Sequence, residues 1–361
     1  MNKKTKKVER IIQLAAAVHV NDATGNQVFL LDRIFKELSY ESIIFSPTID
    51  DPLKEKVKPL DNFRNEYNPD ADLLWLHYNL PSVLSDIFRK AVGYKILQFH
   101  NFTPPGFFLF TNPELASLLK RAEVDAASVS RSATTVLGDS LFNCRLLESF
   151  SVKSPIHLPL IFEPGIYPKT FPNSIRRIYG EDSKNILFVG RIAPNKRLED
   201  LIRCYAYMRS NLRHNCRLIM VGKYDHEDEY FRTLLRMIGI IGVEEVIFTG
   251  AVTQEELAAY YKSADLFLSF SEHEGFFMPL LEAYYFGVPV LARRCAAVGE
   301  TADDAAILFN GTDIAEVAEL AEEILTNSKI SRELIKRGKK RLEFFDYKKS
   351  KSRIKTILEN I

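Results

Sequence analysis

The residues best placed to do chemistry are two carboxylates, Glu274 and Glu282, eight positions apart in the stretch LFLSFSEHEGFFMPLLEAYYFGVPVLA, residues 266–292. An apolar run, Leu266 to Phe270, ends in the polar loop Ser271-Glu272-His273-Glu274-Gly275. The pattern predicts a helix from about Pro279 to Phe286, a stop at Gly287 and a second apolar strand from Val288 to Leu291. One carboxylate therefore lies on a loop and the other on a helix, and both can face the mouth of a parallel sheet, where open α/β sheets bind ligands. A carboxylate placed there can accept hydrogen bonds from two vicinal hydroxyls at once. Taken singly, each reads better as a surface or helix-terminal carboxylate.

A pair of cations makes a second constellation. The strand-like run NILFVG ends at Gly190 and is followed by Arg191-Ile192-Ala193-Pro194-Asn195-Lys196 and then a helical pattern. Gly190 lets the backbone turn sharply and lets a ligand approach. Arg191 offers a planar fork and Lys196 a point charge. Together with the N-terminus of the following helix they suit a diphosphate. The plain alternative is two solvated cations on a turn.

These residues need a scaffold. A chain of 361 residues suggests two domains, since single cores rarely grow past ~250–300 residues. In the first half, strands are expected at Arg10–Ala16, Ser42–Phe45, Leu73–Leu76, Lys95–Phe99 and Thr135–Leu137, alternating with helices at Gln27–Leu38, Ser82–Val92, Asn112–Ser130 and Leu141–Phe150. The second half repeats the alternation, with strands at Asn185–Val189, Arg217–Val221, Val246–Phe248, Leu266–Leu268 and Val288–Leu291. Its helices are expected at Leu198–Ser210, Glu229–Ile238, Gln254–Ser263, Pro279–Phe286 and Ile314–Leu325. Apolar strands alternating with helices imply parallel, doubly wound sheets, an α/β class. Between the halves, residues 151–174 hold five prolines, which forbid a long regular element. The expected division is a first domain at 1–160, a linker at 161–178 and a second domain at 179–340, with a last helix at about 345–361.

Taken together, the Glu-x7-Glu element, the GR…K loop and the two doubly wound halves resemble the retaining GT-B glycosyltransferases of glycosyltransferase family four, group 1. The resemblance covers nearly the whole second half. It implies two Rossmann-like domains facing across a cleft, with the last helix packing back on the first domain. It implies that Arg191 and Lys196 neutralise the phosphates of a leaving nucleotide, that Glu282 holds a ribose, and that Glu274 contacts the donor sugar or lies beside its reacting face. The backbone of Gly275, Phe276 and Phe277 would line the donor. Further matches are VGKYD, with Gly222 and Lys223 at a strand end, and FTGAV, where the backbone from Gly250 to Val252 would edge-bond a nucleobase. AAVGET, residues 296–301, departs from the family's habit by placing Gly299 where a proline precedes Glu300. The first half resembles a subgroup found in bacterial polysaccharide assembly, through DATGNQVFLLDRIFKELSYES, HYN at His77–Asn79, FHNFTPPGFF and GDSLFNCRLL. Gly25 would open the first helix and bring backbone close to the donor. His100 and Asn101 sit where a strand becomes a loop, and a histidine there would hydrogen-bond the sugar or steady developing charge. His77 and Asn101 are acceptor-side candidates, and His19 is a weaker one. Asp139 and Ser140 serve equally well as caps of the next helix.

The function implied is transfer of a hexose-type sugar from a nucleoside diphosphate sugar, GDP-mannose or a UDP-sugar, to a hydroxyl of a glycan or lipid-linked glycan. No cofactor and no metal are expected. Asp70-Ala71-Asp72 has the DxD string of metal-dependent transferases but precedes its strand, and reads as a loop cap. Two other readings stay open: a catalytically silent nucleotide-sugar-binding subunit, and a transferase with a small-molecule acceptor. A dinucleotide-dependent enzyme is disfavoured because no Gly-x-Gly-x-x-Gly follows the first strand. A formal net charge of +1 gives no field favouring nucleic acid. The start, MNKKTKKVER, and the tail, with twelve Lys and Arg between Lys329 and Lys355, are basic. They are read as a solvated helix face or as a peripheral contact with the inner face of an anionic membrane, worth ~1 kcal/mol per basic residue near the lipid. Four cysteines without a CxxC pair fit a reducing cytoplasm. The apolar run after the first lysines reads as a buried strand in place of a signal peptide.

Overall fold

A computed structural model describes residues 8–19, 23–168, 183–212, 215–311 and 313–361. The chain forms two compact units. The first comprises the residues up to Pro105, Glu114–Ile161 and Tyr347–Ile361, and the second comprises Gly106–Pro113 and Phe162–Asp346. Of the expected linker at 161–178, residues 169–178 lie outside the described residues.

The first unit is built on seven strands: β1 (Arg10–Ala15), β2 (Glu41–Ser46), β3 (Lys58–Pro59), β4 (Asp72–Tyr78), β5 (Tyr94–Phe99), β6 (Thr135–Gly138) and β7 (Ile156–His157). They pair in the order β3-β2-β1-β4-β5-β6-β7, all parallel. Its helices are α1 (Ala23–Glu37), α2 (Phe63–Glu66), α3 (Val83–Lys90), α4 (Pro113–Arg131, from Glu114 on in this unit) and α5 (Leu141–Ser149). Side chains alternate between the faces of a strand. Ile11, Leu73, Trp75, Ile96 and Leu137 therefore share one core with Leu31, Ile34 and Phe35 of α1. Ile12, Leu14, Leu74, Leu76 and Leu97 share another with Phe88 of α3 and Val129 of α4. Both faces are covered, which explains why the strands read as continuous apolar runs. Three polar residues interrupt the first face. Gln13 lies opposite Trp75, and His77 lies opposite Gln98.

The second unit has six strands: β8 (Lys184–Val189), β9 (Cys216–Val221), β10 (Val246–Gly250), β11 (Leu266–Ser269), β12 (Val290–Arg293) and β13 (Ile307–Phe309). Their order is β10-β9-β8-β11-β12-β13, again parallel. Between and after them run α6 (Leu198–Ser210), α7 (Glu229–Ile241), α8 (Gln254–Ser263), α9 (Met278–Phe286), α10 (Val298–Ala302), α11 (Ile314–Thr326) and α12 (Ser328–Leu342). Phe188, Leu218, Met220, Leu268 and Phe270 pack with Leu201, Ile202 and Tyr205 of α6 and with Val317 and Ile324 of α11. Asp228 caps α7, a Thr253–Glu256 capping box starts α8, and Asp313 caps α11. Gly287 ends α9 in the left-handed region at φ 74°. The chain closes with α13 (Tyr347–Glu359) in the first unit. Its Ile354, Ile357 and Leu358 join the core of Ile11 and Trp75, and Lys351 pairs with Glu37 at 2.8 Å.

The differences from the sequence reading are local. Helix α1 starts four residues earlier than expected, so Gly25 lies inside its first turn and does not open it. The last expected strand of the donor-side pattern begins at Val290 and not at Val288, because Val288 bonds back to the Ala283 carbonyl as the helix ends. The two- and three-residue strands β3, β7 and β13 are too short to show a period. The segment Gly106–Pro113 belongs with the second unit.

Three strand ends are stapled backbone to backbone. Gly190 N–H donates to the Val221 carbonyl at 2.9 Å, and Gly222 N–H to the Gly250 carbonyl at 3.1 Å. A Cβ on Gly222 would lie 1.9 Å from the Gly190 carbonyl oxygen, and Gly222 sits at φ 154°. No side chain fits that crossing without moving two strand ends. Gly222→Ala is expected to lower the unfolding free energy by at least about 2 kcal/mol, read as a fall in the urea midpoint. A variant with the parental midpoint contradicts this packing.

Candidate functional site

The loop carrying Glu274 is held from several sides. Glu272 N–H donates to the Asn195 carbonyl at 2.8 Å, and the Asn195 side-chain amide donates to the His273 carbonyl at 3.2 Å. Ala297 N–H donates to the Glu274 carbonyl at 3.1 Å, and the Thr301 hydroxyl to the Phe276 carbonyl at 2.7 Å. Arg293 clasps the Glu272 carboxylate at 2.6 Å. The stretch around Gly299, where the sequence lacks a proline, is thus fixed by hydrogen bonds, and Arg341 adds two more to the carbonyls of Glu300 and Thr301. Within this frame Lys196 Nζ meets Glu274 Oε1 at 2.7 Å, with both side chains mostly buried. The lysine stem passes Gly190, whose Cβ would lie 3.8 Å from Lys196 Cε. An ammonium has three donors, and this pair uses one. Arg191 is exposed and has no side-chain partner among the described residues.

Glu282 lies eight residues on, on α9, and is buried. The Tyr167 hydroxyl donates to its Oε1 and the Tyr261 hydroxyl to its Oε2, each at 2.7 Å. Burial pushes the Glu282 carboxyl above its ordinary value, and the two tyrosine hydroxyls pull it back. Burial and the adjacent carboxylate in turn drive both phenols up. A carboxylate has about four acceptor positions. Two are taken and two remain. The side chains of Phe276 and Phe277 are buried in the second unit, so what they offer a ligand is backbone. Phe277 starts α9 from a left-handed φ of 84°. Lys223 is exposed after the Gly222 strand end, and Val252 is half-buried after Gly250.

In the first unit the expected histidines bond to one another. His77 Nδ1 lies 2.9 Å from His100 Nε2, and the rings are parallel within 3°. His100 Nδ1 lies 2.7 Å from Asp139 Oδ2, and His77 Nε2 lies 3.0 Å from Gln13 Oε1. Both nitrogens of both rings are therefore engaged inside the unit. Neither ring nitrogen of His100 is left without a partner for a sugar in this structure. Asn101 is also committed: in the left-handed region at φ 68°, it donates to Asn143 Oδ1 at 2.7 Å and accepts from Phe102 N–H. Ser140 caps α5, whereas Asp139 serves the histidines. His19 pairs with Asp50 at 2.9 Å on the surface. Asp72 is the first residue of β4, is bonded to Arg10 at 2.8 Å and accepts from Asn68 N–H at 2.6 Å, so the DxD string is structural. Among the described residues no cluster of three or more His, Cys, Asp or Glu side chains is arranged to hold a metal ion.

The sequence reading missed Tyr167, Tyr261, Gln13 and Gln98 as partners of these groups. Gln13 and Gln98, polar residues inside apolar strands, were the visible signal.

Residues 173–341 match the family model of the glycosyl transferases group 1. The chain is similar to that family over this stretch, just under half of its length. The serotype-specific mannosyltransferase WbdA of Escherichia coli is 31% identical over 163 residues, 45% of this chain and 20% of that protein. The matched part thus spans about a fifth of that relative's length. N-acetyl-alpha-D-glucosaminyl L-malate synthase of Bacillus anthracis is 24% identical over 97% of this chain and 91% of its own. Alr3699/HepE of Anabaena, solved in complex with UDP-glucose, superposes with a TM-score of 0.74 at 16% identity, over 98% of this chain and 100% of that one. That likeness gives both units the GT-B fold.

Within the second unit, Lys196→Met would leave the mostly buried Glu274 carboxylate without its cation. The expected loss is about 2–3 kcal/mol of unfolding free energy, and Lys196→Met with Glu274→Leu should recover part of it. A single variant no less stable than the double would contradict the pairing.

Proposed function

We propose that this chain is a retaining glycosyltransferase that moves a hexose-type sugar from a nucleoside diphosphate sugar, GDP-mannose or a UDP-sugar, to a hydroxyl of a glycan or lipid-linked glycan. The observation that carries the reading is the Lys196–Glu274 pair at 2.7 Å, set in a loop stapled from both sides beside the glycine strand ends and the exposed Arg191. A preorganised cation next to a backbone that admits no side chain suits a diphosphate that gains charge as the sugar departs. Arg191 and Lys196 then supply the electrostatic stabilisation, with no metal in the scheme. Glu282 takes the ribose hydroxyls on its two remaining acceptor positions. The names of the relatives support the class of reaction, since WbdA is a mannosyltransferase and Alr3699/HepE was solved with UDP-glucose.

The acceptor side is read from chemistry of another kind. No helix among the described residues is long and apolar enough to cross a membrane. Lys336, Lys339 and Lys340 are exposed on the basic helix α12. A lipid-linked acceptor would be met by peripheral contact of such basic surface with anionic lipid on the cytoplasmic side.

Three outcomes test the reading. Thermal stabilisation by a panel of GDP-, UDP-, ADP- and TDP-sugars should single out one nucleotide class and be indifferent to EDTA, with ~2.7 kcal/mol gained at 100 times the dissociation constant. No shift with any of them would favour a catalytically silent subunit. Lys196→Ala and Arg191→Ala should each cut turnover by roughly 10²–10³, and unchanged kinetics would remove the phosphate role. Glu282→Gln should weaken nucleotide binding by more than ~1 kcal/mol. Because the folded-state Glu282 carboxyl titrates above its ordinary range, nucleotide affinity should be full at neutral pH and fall as pH drops through that raised range. Tyr167→Phe removes a donor that favours the anion, so it should move the fall to higher pH. A pH profile of binding that ignores Tyr167→Phe would contradict the Glu282 assignment.

A further inference from the structure

The polar array inside the first unit has more acceptor geometry than it has protons fixed by chemistry. Its members lie on four neighbouring strands, from mid-strand to just past the C-terminal ends: Gln13 on β1, Trp75 and His77 on β4, Gln98 and the following His100 on β5, and Asp139 after β6. Asp139 is 1% exposed, Gln13 0% and His77 3%. Asp139 accepts from His100 on one oxygen and from the Gln98 amide at 2.9 Å on the other, and Trp75 Nε1 donates to Gln98 Oε1 at 3.2 Å. No lysine or arginine bonds to the array among the described residues. The Gln13 amide nitrogen is buried without a partner.

Two arrangements satisfy the same distances. In one, His100 carries protons on both nitrogens and donates to Asp139 and to His77 Nδ1. His77 then carries its proton on Nε2 and donates to the Gln13 oxygen, and the orphan is the Gln13 amide nitrogen, the atom observed without a partner. In the other, each ring carries one proton, on Nδ1. His77 Nε2 is then bare, and Gln13 must turn to offer its amide. The arrangements differ by one proton and one amide flip, and His77 is neutral in both. Its burial and the neighbouring His100 keep it so, holding the His77 ring well below the ordinary histidine range. The first arrangement pairs the buried carboxylate with an imidazolium and leaves no net charge. The second buries a lone anion, which is costly.

We propose that Gln13, His77, His100 and Asp139 form a one-proton relay, with Gln13 and Asp139 as the positioning residues at its two ends. From the second arrangement to the first, His77 Nε2 gains one proton, the proton on His77 Nδ1 passes to His100 Nε2, and Gln13 turns its oxygen to the new N–H. The charge comes to rest on His100 beside Asp139. This relay rests on the transferase reading only for its use: it sets the charge at the sheet edge where ligands of such sheets bind, and so gives turnover a pH dependence.

Long-range proton–nitrogen correlation on the ¹⁵N-labelled full chain reads which ring nitrogens carry protons. The relay requires both histidines to change in a single transition, with the His77 proton moving from Nε2 at low pH to Nδ1 at high pH. Asp139→Asn should shift that transition down by at least about one pH unit, tenfold in proton affinity. Gln13→Glu, which adds an anionic acceptor, should shift it up by a similar amount and carries the test if the first variant does not fold. A His77 ring that keeps one tautomer throughout, or two rings titrating independently, overturns the relay even in a protein that transfers sugar. The pH–rate profile of Gln13→Glu should move with its nuclear transition while the donor KM holds. A coupled transition in a chain that turns over no nucleotide sugar would retain the relay and defeat the transferase reading.

Discussion

The loops at the strand ends of the second unit meet through an ion pair between residues 78 positions apart in sequence. Lys196 and Glu274 meet at 2.7 Å because β8 and β11 are neighbours in the sheet, with Ile186 beside Leu266, so the loops that leave them emerge side by side. Asn195 bonds to the Glu274 loop through both its backbone carbonyl and its side-chain amide. The cation is thereby held in place, which is what the proposed diphosphate role needs if little reorganisation is to accompany the reaction. The glycines at the neighbouring strand ends serve the same geometry from below: Gly222 and Gly190 cross so closely that the loops above them have one course.

The second carboxylate shows a different solution to the same problem. Glu282 lies where water is excluded, and an isolated carboxylate there would protonate. Two tyrosine hydroxyls, one on each oxygen, keep it oriented and favour its anion. Tyr167 comes from the stretch after the first unit's last strand, and Tyr261 from the end of α8. A residue that sequence spacing assigns to a ligand thus depends on two partners more than twenty residues away.

Much of this was legible in the chain. The alternation of apolar strands and helical periods gave two parallel sheets, and two second-half helices matched to the residue, α6 at Leu198–Ser210 and α8 at Gln254–Ser263. Arg191, Lys196, Glu274 and Glu282 stood out through residue type and spacing. What stayed hidden is whatever strand order decides. His77 and Gln98 are register partners, and His100 reaches Asp139 only because β5 and β6 are adjacent. A single sequence shows a histidine at a strand end and invites it toward a ligand. The fold instead turns both of its nitrogens inward.

The central claim is the proposal that Lys196, held in place by Glu274, is the cation that meets the diphosphate of a nucleotide. The most direct measurement compares the affinities of nucleoside diphosphate and nucleoside monophosphate for the parental protein and for Lys196→Met. The account predicts a strong preference for the diphosphate that collapses in the variant, with monophosphate binding little changed. An equal preference in both proteins would contradict it.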